Sequence, residues 1–129
     1  MSKKILFLLL IIGSSSCTIK KHFQQSILKE ASHIQLEAQN IGKLAASALE
    51  DLIQQANSIQ VQGRQLSRSE IEFINQVNNV RGEFQNWEYG EFKLPAVGSI
   101  RLKDKEDILQ EQLDWKRGIE DLFEKIKQI

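Results

Sequence analysis

Between Ile27 and Leu52, apolar side chains return at alternating steps of four and three residues: Ile27, Ala31, Ile34, Ala38, Ile41, Ala45, Ala48 and Leu52. This is a 3.5-residue period held over nearly four heptads, the signature of an α-helix that packs along another helix. The seam has two rows, Ile27-Ile34-Ile41-Ala48 and Ala31-Ala38-Ala45-Leu52. Alanine along one row lets a neighbouring helix approach closely, in place of ordinary leucine packing. Gly42 weakens the helix by about 1 kcal/mol relative to alanine, yet the seam runs through it. One helix over about residues 22–61 is expected, with a kink at Gly42 left open.

The helix stops at Gly63, inside the polar run Gln62-Gly63-Arg64-Gln65. Ser67 and Glu70 then have the spacing of a capping box, in which each side chain satisfies a free backbone N–H at a helix start. A second helix, about 68–89, carries Phe73, Val77, Val80, Phe84 and Trp87 at steps of four and three, and Gly90 ends it. Glu91 to Ser99 is irregular, punctuated by Pro95 and Gly98. A third helix, about 104–128, aligns Ile108, Trp115, Ile119, Leu122, Ile126 and Ile129, with Leu109, Leu113 and Phe123 widening that face. The expected fold is all-α: a long N-terminal helix and two shorter ones in an antiparallel three-helix bundle joined by two short connections. Phe73, Phe84, Trp87, Trp115 and Phe123 would supply bulk against the alanine-rich seam.

Composition fits one domain of this kind. Of 129 residues one is proline, so little opposes helix formation. Basic and acidic side chains number 17 each. Losing Lys3 and Lys4 with an N-terminal segment would leave a net charge of −2. A domain so close to neutral has no electrostatic grip on a phosphate backbone, and nucleic-acid binding is not expected.

The first residues read differently from the rest. Lys3 and Lys4 precede eight consecutive apolar residues, Ile5 to Ile12, and then Gly13-Ser14-Ser15-Ser16-Cys17. Eight apolar residues cannot cross a hydrocarbon core of about 30 Å, which needs roughly 20; the pattern is that of an export signal, residues 1–16. The single cysteine of the chain follows the small residues at once. Here the sequence resembles the lipobox of bacterial lipoproteins, in which the thiol is acylated and the chain is cut before it. Ser16 and Ser15 match the family's small positions, whereas Ser14 stands where leucine is usual, as in relaxed lipoboxes. The resemblance implies palmitate-type acylation at Cys17, a tether over 17–23 and a helical domain over 24–129. It also implies attachment to the cell membrane or outer membrane, on the periplasmic side. Lipidation would also remove a lone thiol from an oxidising compartment.

The segment Phe84-Gln-Asn-Trp87-Glu-Tyr89-Gly-Glu-Phe92-Lys-Leu-Pro95 is similar to the Trp…Phe…Pro segment closing the second helix of small helical Bacteroidetes lipoproteins, some labelled viral A-type inclusion proteins. The methionines usual around that tryptophan are absent. The resemblance implies fold and location and assigns no activity.

Residues able to do chemistry are sparse. His22 and His33 would lie about 16 Å apart along one helix, too far to share a metal ion. The carboxylate groups Glu50-Asp51, Asp104-Glu106-Asp107 and Glu120-Asp121 sit where helix surfaces and N-termini favour negative charge. No serine has the base and acid that nucleophilic catalysis needs. The expected protein is not an enzyme and has no cofactor or metal. Two binding surfaces are candidates. Trp87, Tyr89 and Phe92 cluster near the loop that ends at Pro95, which would serve a small-ligand or cell-wall-binding module; alternatively Trp87 plugs the bundle end. The second is Ile27, Ala31 and Ile34. Helices of roughly 25 residues would cover the first helix only to Ala38 or Gly42, leaving that stripe for a second copy or an envelope protein. In the rival arrangement the first helix breaks near Asn40-Ile41-Gly42 and folds back.

Overall fold

In a computed structural model the described residues are 16–91, 94 and 105–129. They form three helices: α1, Ser16–Gln60; α2, Arg68–Tyr89; and α3, Lys105–Lys127. The helices pack on one another as an all-α three-helix bundle.

α1 is one helix of 45 residues, about 67 Å long at 1.5 Å per residue. It passes through Gly42 without a break, so the fold-back arrangement does not occur. It also starts at Ser16 rather than near residue 22, which makes the backbone of the expected tether helical. No proline or glycine lies between Thr18 and Phe23 to prevent this, and the seam itself extends one step earlier to the buried Gln24. The alanine row behaves as its composition requires: Ala31, Ala38 and Ala45 are all 0% exposed.

The α1–α2 turn is built by local chemistry. Gly63 takes φ 66°, where a side chain would be strained. Ser67 caps α2: its Oγ accepts from the Glu70 N–H at 3.2 Å, and its own N–H donates to Glu70 Oε1 at 2.9 Å. Arg64 adds a two-pronged pair to the same carboxylate, Nη1 to Oε1 at 2.8 Å and Nη2 to Oε2. α2 then runs back along α1, Ile74 packing near Ala56 and Trp87 reaching Gly42. Its composition favours a helix least: Asn75, Asn78, Asn79 and Asn86 are exposed and Gly82 lies mid-helix. Each asparagine costs up to about 0.7 kcal/mol relative to alanine, and the glycine about 1.

α3 lies along α1 in the same direction. Ile108 sits with Ile27 and Ala31, Lys116 with Glu37, and Ile129 with the Ala56 cluster. The central core joins Ala38, Ala45 and Leu49 of α1, Val80 and Phe84 of α2, and Trp115, Ile119, Leu122 and Ile126 of α3. A smaller cluster of Ile27, Ala31 and Ile108, flanked by Leu28, Leu94 and Leu109, closes the end nearest Ser16. The expected limit of coverage at Ala38 or Gly42 is therefore corrected. α2 stops beside Gly42, but residues 90–104 separate it from α3, so this connection is not short. α3 begins far enough along α1 to cover Ile27. From Gly42 to Ala31 that offset is about 16 Å.

Candidate functional site

Where α2 ends, Trp87 meets Trp115 from the middle of α3. The rings stack at 4.4 Å between centroids and 8° between planes. Trp87 Nε1–H donates to the Trp115 carbonyl at 2.8 Å, and Trp115 Nε1–H donates to the Trp87 carbonyl, also at 2.8 Å. Each indole thus satisfies its polar edge on the other residue's backbone, as buried N–H groups must. Phe84, one turn earlier, tilts against Trp87 at 5.7 Å.

The pair fits because glycine faces it. A Cβ at Gly42 would lie 2.7 Å from Cη2 and 2.9 Å from Cζ3 of Trp87, inside the distance real atoms tolerate. Gly118 is looser: a Cβ there would stand 3.5 Å from Trp87 Cδ1, an ordinary contact. Gly42 was legible in the sequence only as a weak point in a helix. It is the seat of an indole.

Carboxylates surround this junction. Glu91 accepts from Gln35 at 3.2 Å and from Gln39 at 2.8 Å, tying the chain after α2 to α1. Two open depressions flank the rings. One, about 400 Å³, is lined by Gly42, Lys43, Ala46, Trp87 and Glu88, and the other, about 550 Å³, by Trp87, Glu91, Glu111, Asp114 and Trp115. On α1, Glu37 bridges to Lys116 at 2.6 Å and to His33 at 2.9 Å. The Lys116 hydrogen bond and charge hold the Glu37 carboxyl below its usual range, and Glu37 in turn raises the Lys116 ammonium. Both residues are half-buried, and the bridge fastens α3 to α1. Glu106 and Asp107 occupy the first turn of α3 and Lys125 and Lys127 its last, matching the helix dipole.

The residues proposed from sequence fall in different places. Trp87 is half-buried in the stack, and Tyr89 is 91% exposed beside it. Phe92 lies outside the described residues, as does Pro95. Trp87 does plug an end, but it is the end of the three-helix section at mid-length on α1, and Leu94 packs onto the Ile27 cluster. Ile27 and Ala31 are buried against Ile108 of α3, so these two positions are used within the chain, and Ile34 is half-buried. Cys17 stands in the first turn of α1. Among the described residues no group of three or more His, Cys, Asp or Glu side chains is placed to hold a metal ion. The chain matches no known family model, and comparison with curated proteins and with solved structures found no similar one.

Proposed function

We propose that the chain is a lipid-anchored, non-enzymatic protein of the bacterial cell envelope, held by acyl chains on Cys17 on the periplasmic side of a membrane. The observation that carries this reading is the sequence context of Cys17. It is the single cysteine, it follows a basic, apolar and small-residue leader, and it stands in the first turn of the 45-residue α1. Among the described residues no helix is long and apolar enough to cross a membrane, so attachment would rest on the lipid. Each buried methylene contributes about 0.8 kcal/mol, and stable anchoring takes two or more such signals. A rigid α1 would then hold the three-helix section, which begins near Gly42, about 37 Å beyond Cys17.

In that position the body serves as a helical interaction or structural module. A partner helix, from a second copy or from another envelope protein, would find Leu36 and Leu44 on α1, 54% and 59% exposed, rather than Ile27 and Ala31. A small-ligand or wall-binding role at Trp87 is the alternative, supported by the open depressions against its ring and by the exposed Tyr89. Labelling cells with a fatty-acid analogue tests the anchor: the wild-type chain takes up label, and Cys17→Ala does not and yields uncleaved or soluble protein. Label that survives Cys17→Ala overturns the reading.

A further inference from the structure

All 17 acidic residues of the chain lie at Glu30 or beyond, whereas Lys20, Lys21 and Lys29 precede it. Counted from Cys17, the chain opens with a positive segment and continues as a net acidic body. Helix formation does not call for the first two lysines. α2 and α3 open with acids, Glu70 and the Glu106–Asp107 pair, as the positive end of a helix dipole favours. α1 has no acid in its first turn and runs directly into Lys20 and Lys21. Nor do the other helices reach that far. Lys116 meets Glu37, and Ile108 meets Ile27 and Ala31. α3 starts at Lys105, which at equal rise per residue lies opposite about residue 26 of α1. α2 ends beside Gly42. Residues 16–22 of α1 therefore extend past both.

We propose that this overhang contacts the phosphate headgroups of an anionic phospholipid surface. The contact rests on the acyl anchor at Cys17 proposed above, because the anchor sets the distances. With α1 rising from the surface, Lys20 and Lys21 lie about 5 Å along the axis from Cys17, within a headgroup layer about 5–8 Å deep. The acids stand farther off. Glu106 and Asp107 lie opposite about residues 27 and 28, about 15 Å along, and Glu30 is about 20 Å along. The screening length at physiological salt is about 8 Å. The surface therefore attracts the two lysines and barely senses the acidic body beyond them. Two lysines in solution would not hold a lone phosphate, but beside an inserted acyl chain they face a whole charged surface.

The test uses the mature chain, residues 17–129, with one palmitoyl chain attached chemically to Cys17. A single chain holds a protein only marginally and reversibly, so partitioning between buffer and vesicles reads the lysine contribution directly. Vesicles of phosphatidylcholine mixed with phosphatidylglycerol should bind it about thirtyfold more tightly than phosphatidylcholine alone, about fivefold for each lysine. In 1 M salt, where the screening length is about 3 Å, the preference should vanish. Lys20→Gln with Lys21→Gln should remove most of it. Lys125→Gln with Lys127→Gln, the same charge change at the far end of α3, should leave it intact. The headgroup contact is overturned by equal binding to the two vesicles, by a preference that survives the Lys20 and Lys21 substitutions, or by one that the far pair abolishes equally. Because the acyl chain is supplied, these outcomes are separate from fatty-acid labelling in cells, which decides whether Cys17 is the native anchor.

Discussion

One helix, α1, passes through two different settings. Beyond Gly42 it lies against both α2 and α3, in a core that includes Phe84 and Trp115. Before Ala38 it lies against α3 and Leu94, with Ile27, Ala31 and Ile108 as the buried apolar residues and Gln24 and Gln112 buried nearby. Ala31 and Ala45 are nonetheless equally buried, at 0% exposure. The comparison teaches that one closely fitting partner suffices to bury an alanine row, while aromatic bulk is what requires a third helix. It also places the strongest packing at the boundary, where the Trp87–Trp115 pair sits.

The largest effect is expected there. Trp115→Ala should destabilise the chain by about 3–5 kcal/mol, as large aromatic truncations do, because it removes the ring stacked on Trp87 and the indole N–H that donates to the Trp87 carbonyl. Chemical denaturation followed by Trp87 fluorescence would read it. A loss below 1 kcal/mol would mean the boundary is not a packing centre.

Ile108→Ala should cost less, about 2–3 kcal/mol, and should act locally. Hydrogen exchange is expected to quicken over residues 24–38 of α1 and 106–114 of α3 while the three-helix section keeps its protection. Uniform acceleration along α1 would erase the distinction between the two settings.

A single kind of substitution sharpens the boundary further. Gly42→Ala should destabilise by about 1–2 kcal/mol, the overpacking against Trp87 exceeding the helix-propensity gain. Gly118→Ala, with its ordinary 3.5 Å contact, should instead stabilise by up to about 1 kcal/mol. Equal signs in thermal melts would show that the indole is not seated on Gly42.

The smallest effect lies at the far turn. Hydrogen bonds from Arg64 and from the Ser67 backbone hold the Glu70 carboxyl down to about 2, from an ordinary 4.5. A carboxylate whose folded value is depressed stabilises the fold above its unfolded value and loses that contribution as pH falls from about 4.5 to 2. Glu70→Gln should therefore melt lower than wild type at pH 6 and approach it at pH 2. A constant difference across that range would remove the turn as an acid-sensitive element.

Much of this was legible from residue order. The seam from Ile27 to Leu52, the alanine row and the Ser67–Glu70 capping box depend on spacing within one helix or one turn, and the structure realises each of them. The second tryptophan was legible only as core bulk, since nothing in the order of residues says that Trp115 and Trp87 exchange hydrogen bonds.

Periodicity, composition and capping determined by themselves that three helices form, where the α1–α2 turn falls and which face of each helix is apolar, because these follow from interactions within a few residues. Tertiary structure alone decided where α3 begins along α1, and hence that Ile27 and Ala31 are buried in the chain rather than left for a partner. It also decided that Gly42 receives an indole. The first depends on where α3 lies along α1 and the second on how α2 packs back against α1, and helix lengths added from the sequence contain no measure of either. A glycine's meaning likewise rests on what stands opposite it, 45 residues away in the case of Gly42 and Trp87.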